Sequence, residues 1–133
     1  MIFVFYLFLK HVWDIYYEYD STVENNTKNH QIYTLCHIIL TTLSENKAKY
    51  NNFCTKLIRN LGLFSENSKS FIRSNDRCNI LYNWIYNSIK KEYIPDSIIN
   101  KCFEDYIDIS SMIFKINISM NVKNMKKGKD YNR

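Results

Sequence analysis

The chain is short of the residues that make tight turns: 133 residues contain only 2 glycines and 1 proline. A β-rich domain needs a turn residue at each hairpin, so that class is excluded. Long helices with few connections remain. No CxxC pair is present, which removes zinc-finger and thioredoxin chemistry. HExxH, P-loop, GxGxxG and GxSxG motifs are missing as well, so the chain reads as a non-enzyme with no metal or cofactor site. The apolar run Met1 to Leu9 stops at Lys10. It is too short for a membrane span of about 20 residues, and no other stretch qualifies. It resembles a signal-peptide core without a basic start or a small-residue cleavage site, and it suits equally the buried start of a first helix.

What is present fits one folded domain. Apolar residues make up 46% and charged residues 23%, which argues against disorder. A chain of this length buries roughly two-thirds of its extended surface. The abundant Asn, Lys, Ile and Tyr all have AT-rich codons, so part of this bias belongs to the genome. The net charge is +5, and the tail carries Lys123, Lys126, Lys127, Lys129 and Arg133. A basic tail can touch phosphates or anionic lipid, but the plain expectation is a solvated terminus. Elsewhere the cations Arg59, Arg73, Arg77, Lys90 and Lys91 are scattered. No nucleic-acid partner is expected from them.

Two segments carry a helical period. Ile32, Leu35, Cys36, Ile39, Leu40 and Leu43 form one stripe. Tyr50, Phe53, Cys54, Leu57, Ile58 and Leu61 form a second at the same offsets. Gly62 is placed to end the second helix, and the short join Ser44 to Lys47 predicts an antiparallel hairpin. A third helix holds Cys78, Leu81, Trp84, Ile85 and Ile89, capped by Asn75 or Asp76 and ending near Lys91. Pro95 opens a further helix with Ile98, Cys102, Tyr106 and Ile109 on one face. Phe3 to Tyr19 is helical, with Val12, Ile15, Tyr16 and Tyr19 inward. The fold class is therefore all-α, about five helices in a small irregular bundle. Residues 1–111 form the folded part, and 112–133 form an uncertain or disordered basic tail, with disorder expected after about Asn121.

The expected core is Trp13, Ile32, Leu35, Ile39, Leu43, Phe53, Leu57, Ile58, Leu61, Leu81, Trp84, Ile85, Ile98, Phe103 and Tyr106. Phe64 to Asn75, with Ser65, Asn67, Ser68, Ser70 and Ser74, is expected to be a polar surface loop. Cys36, Cys54, Cys78 and Cys102 are widely spaced, which suits either two disulfides or four buried thiols. His37 beside Cys36 is no thiol–imidazole pair, because neighbouring helix residues point about 100° apart. Glu104, Asp105 and Asp108 read as a solvated acidic face. The sequons at Asn25 and Asn117 carry little weight in an Asn-rich chain.

Three runs carry a family resemblance. They are Phe53-Cys54-Thr55-Lys56-Leu57-Ile58-Arg59-Asn60-Leu61, Arg77-Cys78-Asn79-Ile80-Leu81-Tyr82-Asn83-Trp84-Ile85-Tyr86, and Ile99-Asn100-Lys101-Cys102-Phe103, with Leu9-Lys10-His11-Val12-Trp13 ahead of them. Together they resemble the N-terminal half of the Plasmodium interspersed repeat proteins, called Vir in the vivax parasite. The likeness covers Leu9 to Ile109 and is strongest over Tyr50 to Asp108. Residues after Ser111 look unlike the family, so the chain reads as a truncated member.

The resemblance implies a variant antigen at the surface or membrane of the infected red cell, active in adhesion, antigenic variation and immune evasion. Its partner would be a host-cell receptor or an antibody. The resemblance also implies that the four cysteines are disulfide partners, each bond stabilising by about 3 kcal/mol. Family members carry a transmembrane helix. This chain shows none, so the expectation is either that surface or membrane or, for a truncated chain, a soluble product. The alternative is a soluble intracellular structural or trafficking protein that keeps free thiols and binds partner helices.

Overall fold

The computed structural model describes residues 2–62, 64 and 74–131, without the side chains of 2–8, 74, 75, 117 and 125–131. The elements are α1 (Ile2–Asp20), a 3₁₀ turn (Thr27–Asn29), α2 (His30–Thr42), α3 (Lys47–Leu61), α4 (Ser74–Glu92) and α5 (Asp96–Tyr131). No strand occurs among the described residues, so the all-α expectation stands.

Helix α3 is the hub. It packs against α1, α2, α4 and α5, while α1 also meets α4 and α2 also meets α5. Its sequence explains this role. Phe53, Cys54, Leu57 and Ile58 form the apolar stripe, all at most 1% exposed. Thr55 and Lys56 are buried as well, because a neighbour covers each side of the helix. Thr55 satisfies its hydroxyl on the Asn52 carbonyl, and Lys56 lies 3.7 Å from Asp20. The Phe53 ring stacks on Trp84 with centroids 5.4 Å apart.

The helix ends are built locally. Asn46 caps α3 by accepting the Lys49 N–H at 3.1 Å. Gly62 ends α3 in the left-handed region, its N–H donating to the Arg59 carbonyl. Helix α2 stops by the same device without glycine. Ser44 has φ 55, its N–H donates to Thr41, and the Glu45 N–H reaches back to Leu40. Those two bonds make the Schellman pattern. The α4–α5 join turns at Tyr93, also at φ 55, and the Pro95 carbonyl accepts the Ile98 N–H at 3.2 Å.

Several expectations need correction. Trp13 is 53% exposed, its ring edge-on to Tyr16 and tilted against Tyr17. The inward residues of α1 are Ile15 and Tyr19, and position 13 lies about 200° from position 15. Leu35, Leu43, Leu61, Leu81, Ile85 and Phe103 are half-buried against the core, and Tyr106 is half-buried. Helix α4 is rotated from its expected register: Ile80, Trp84 and Ser88 face inward and Cys78 faces water. Helix α4 begins at Ser74, so Asn75 and Asp76 lie inside it rather than capping it. Phe64 packs on the core instead of belonging to an exposed loop. Ser65, Asn67, Ser68 and Ser70 lie outside the described residues. The expected disordered tail is helical to Tyr131, because α5 runs unbroken for 36 residues.

Candidate functional site

Among the described residues no group of three His, Cys, Asp or Glu side chains is placed to hold a metal ion. Three features stand out instead: a buried thiol cluster, a clamp on the end of α1, and a shallow polar groove.

The thiol cluster lies where α2, α3 and α5 meet. Cys36, Cys54 and Cys102 are all 0% exposed, each delivered by the apolar stripe of its own helix. The Cys54 and Cys102 Sγ atoms are 3.7 Å apart, and Cys36 lies near enough to Cys54 to act on its proton. The Cys54 thiol is pushed far above its ordinary range. The hydrogen bond with Cys102 pulls it down, but Cys36 and burial outweigh that. Cys102 is also pushed far up, by its hydrogen bond to Cys54 and by burial. Both thiols are therefore neutral and poor nucleophiles in the native fold. Cys78, on the outer face of α4, is too exposed to join them.

The clamp was missed by sequence reasoning, which counted Arg59 among scattered cations. Arg59 donates to the carbonyls of Ser21 (2.8 Å), Glu18 (2.8 Å) and Tyr19 (2.9 Å). Asn60 adds a second bond to Tyr19 at 2.9 Å. A guanidinium at a helix C-terminus satisfies unpaired carbonyls and opposes the negative end of the dipole. Burial draws the Arg59 pKa down, while Glu18 and Asp20 support the charged form. Asp20 also accepts from the Trp84 indole at 3.0 Å, and the Tyr19 hydroxyl accepts from Arg77 at 3.2 Å. One signal was available: Arg59 sits in the last turn of a strongly amphipathic helix. Its target was not readable, because the target is backbone.

The groove runs between the 3₁₀ turn, α2 and the start of α3. It is open to solvent, with a volume of about 750 Å³, and is lined by Asn25, His30, Tyr33, Thr34, His37, Lys47, Ala48, Asn51 and Asn52. Lys47 Nζ lies 3.4 Å from His37 Nε2, so His37 turns outward and away from Cys36. Tyr33 donates to the Val23 carbonyl at 2.6 Å and fixes one wall. Asn25 of the first sequon is exposed at the groove. The acidic face of α5 is bridged internally. Lys101 lies 3.0 Å from Asp105 and 3.8 Å from Glu104, and the bond to Asp105 holds the ammonium above its ordinary pKa.

Comparison with known families fits this helical, cysteine-bearing body. The profile of the Plasmodium vivax Vir protein family matches residues 11–133. The chain belongs to the Vir family. It is thus a member of a variant surface antigen family. The Vir match runs to the last residue, so it corrects the expectation that likeness stops near Ile109. No curated protein matches the chain, and no solved structure does. Among the described residues of this Vir protein, no helix is long and apolar enough to cross a membrane.

Proposed function

We propose that this Vir protein is exported to the infected red cell and works there as a binding and immune-variation module. The observation that carries this reading is the family match over residues 11–133. The fold supports it: a core centred on α3 holds the scaffold, while polar surface such as the α2–α3 groove is free to vary. Its partners are a host-cell receptor or an antibody, met through side chains that contribute little to stability.

In that setting the cysteines divide into two kinds. Cys54 and Cys102 oxidise to one disulfide, while Cys36 and Cys78 stay as thiols. A disulfide of the glutathione class is the oxidant. Opening of the fold lets one thiol ionise and attack it, forming a mixed disulfide and releasing one thiol. The second cysteine then displaces the other thiol, so two protons and two electrons leave the protein. The sulfur separation must shrink from 3.7 Å to about 2.0 Å. Closing a loop of 48 residues stabilises by about 4 kcal/mol on the chain-entropy estimate.

Two measurements test the reading. Antibody against the segment from Phe64 to Asn75 should label intact infected cells, and signal only after permeabilisation would overturn surface display. Thiol counting by mass shift on non-reduced material from those cells should find two free thiols. Four would favour the alternative, a soluble intracellular interaction protein.

A further inference from the structure

Helix α5 has two halves with different surroundings. Ile98 and Cys102 are fully buried against α2 and α3, and Ser110 is the last half-buried residue. Beyond it every described side chain to Asn124 is exposed. The stretch from Ser111 to Tyr131 is about 30 Å of helix at 1.5 Å per residue. It is not a polar extension. Met112, Ile113, Ile116 and Met120 are 57, 43, 52 and 58% exposed.

Those side chains are ordered. Ile109, Ile113, Ile116 and Met120 follow each other at spacings of 4, 3 and 4. That is the heptad seam of a coiled coil, and it continues the line of Cys102 and Tyr106. A smaller band, Phe114, Ile118 and Val122, lies on the opposite side of the helix. Apolar surface on two sides leaves no broad polar face, which is poorly suited to a helix lying flat on a membrane.

We infer that the outer half of α5 is a dimerisation helix that pairs antiparallel with the same helix of a second copy of this chain. The seam is self-complementary about a twofold axis between Phe114 and Lys115. Ile113 of each copy then meets Ile116 of the other, and Ile109 meets Met120, as an isologous interface requires. Charge decides the direction. Glu104, Asp105 and Asp108 sit at the inner end, and Lys123 sits at the outer end, with Lys126, Lys127 and Lys129 following in the sequence. Parallel pairing would stack lysine on lysine. Antiparallel pairing brings Lys123 to the turn of the other copy that holds Asp108, the exposed acid that Lys101 does not bridge.

The test is sedimentation equilibrium of the purified chain under reducing conditions, which keep Cys78 from linking copies. The mass should rise with concentration from 16.1 kDa towards twice that value. Ile113→Asp with Ile116→Asp should hold the mass at that of the monomer with an unchanged circular dichroism melt, because neither side chain supports the body. Lys123→Glu should weaken association at least tenfold, and adding Asp108→Lys should restore it. A monomer at all concentrations, or a dimer indifferent to the Ile113 and Ile116 changes, would overturn the inference. So would a monomer that instead co-sediments with phosphatidylserine vesicles through the same residues.

Discussion

The two halves of α5 have similar sequences and opposite environments. Ile98 and Cys102 are fully buried, while Ile116 and Met120 keep the same spacing of four and are more than half exposed. The periodic signal is one continuous stripe. What changes at Ser110 is the presence of neighbours, since every described side chain beyond it is exposed. Helical pitch in a sequence therefore says which residues share a face and leaves open what covers that face.

Substitutions in the body should be costly and those beyond Ser110 should not. Trp84→Ala removes a 1%-exposed ring stacked on Phe53 and bonded to Asp20, and should cost about 3–5 kcal/mol in urea unfolding. An unchanged midpoint would contradict the packing described.

Arg59→Ala strips the clamp from three carbonyls and should cost about 2 kcal/mol. Arg59→Lys should recover only part of that, because an ammonium cannot reach all three with a planar fork. Full recovery would mean that charge alone matters.

The thiols make a pH-dependent comparison. Cys54 and Cys102 have raised native pKa values, so the native fold keeps both protons where the unfolded chain loses them. Their contribution is constant below about pH 8.5 and declines above it, by about 1.4 kcal/mol per pH unit for each thiol. Unfolding midpoints between pH 7 and 10 should fall under reduction and fall less once the pair is oxidised. Equal slopes would show that these thiols are not the source.

The smallest effects concern single backbone angles. Tyr93→Gly and Ser44→Gly relieve left-handed conformations at φ 55 and should each stabilise by about 0.5–1 kcal/mol. Gly62→Ala, at φ 80 with nothing near its added carbon, should destabilise by about 1 kcal/mol from strain alone.

Much of the body was legible in advance. The stripes of α2 and α3, the stop at Gly62 and the break before Pro95 are local signals, and local physics produces them. What was not legible depends on partners. Val23 and Ile94 are lone apolar residues in connections, 2% and 4% exposed, with no period to announce them. Trp13 was counted in the core, although its position on the helix points outward. Cys78 lay on the expected stripe of α4, but packing against α1 rotated that helix to bury Ile80 instead. The join at Ser44 to Lys47 was legible, but not the left-handed turn at Ser44, where glycine is the usual marker. The candidate site was less legible still: the cysteines were visible, but which of them meet depends on how α5 crosses α3.

The grip of Arg59 and Asn60 on α1 falls on peptide oxygens, which every amino acid supplies alike. Substitution at positions 18 and 21 therefore leaves the three carbonyl bonds in place, losing only the Ser21 hydroxyl contact at 3.2 Å and the Glu18 charge. A protein that must keep changing its appearance is well served by joints that do not depend on which side chains they hold.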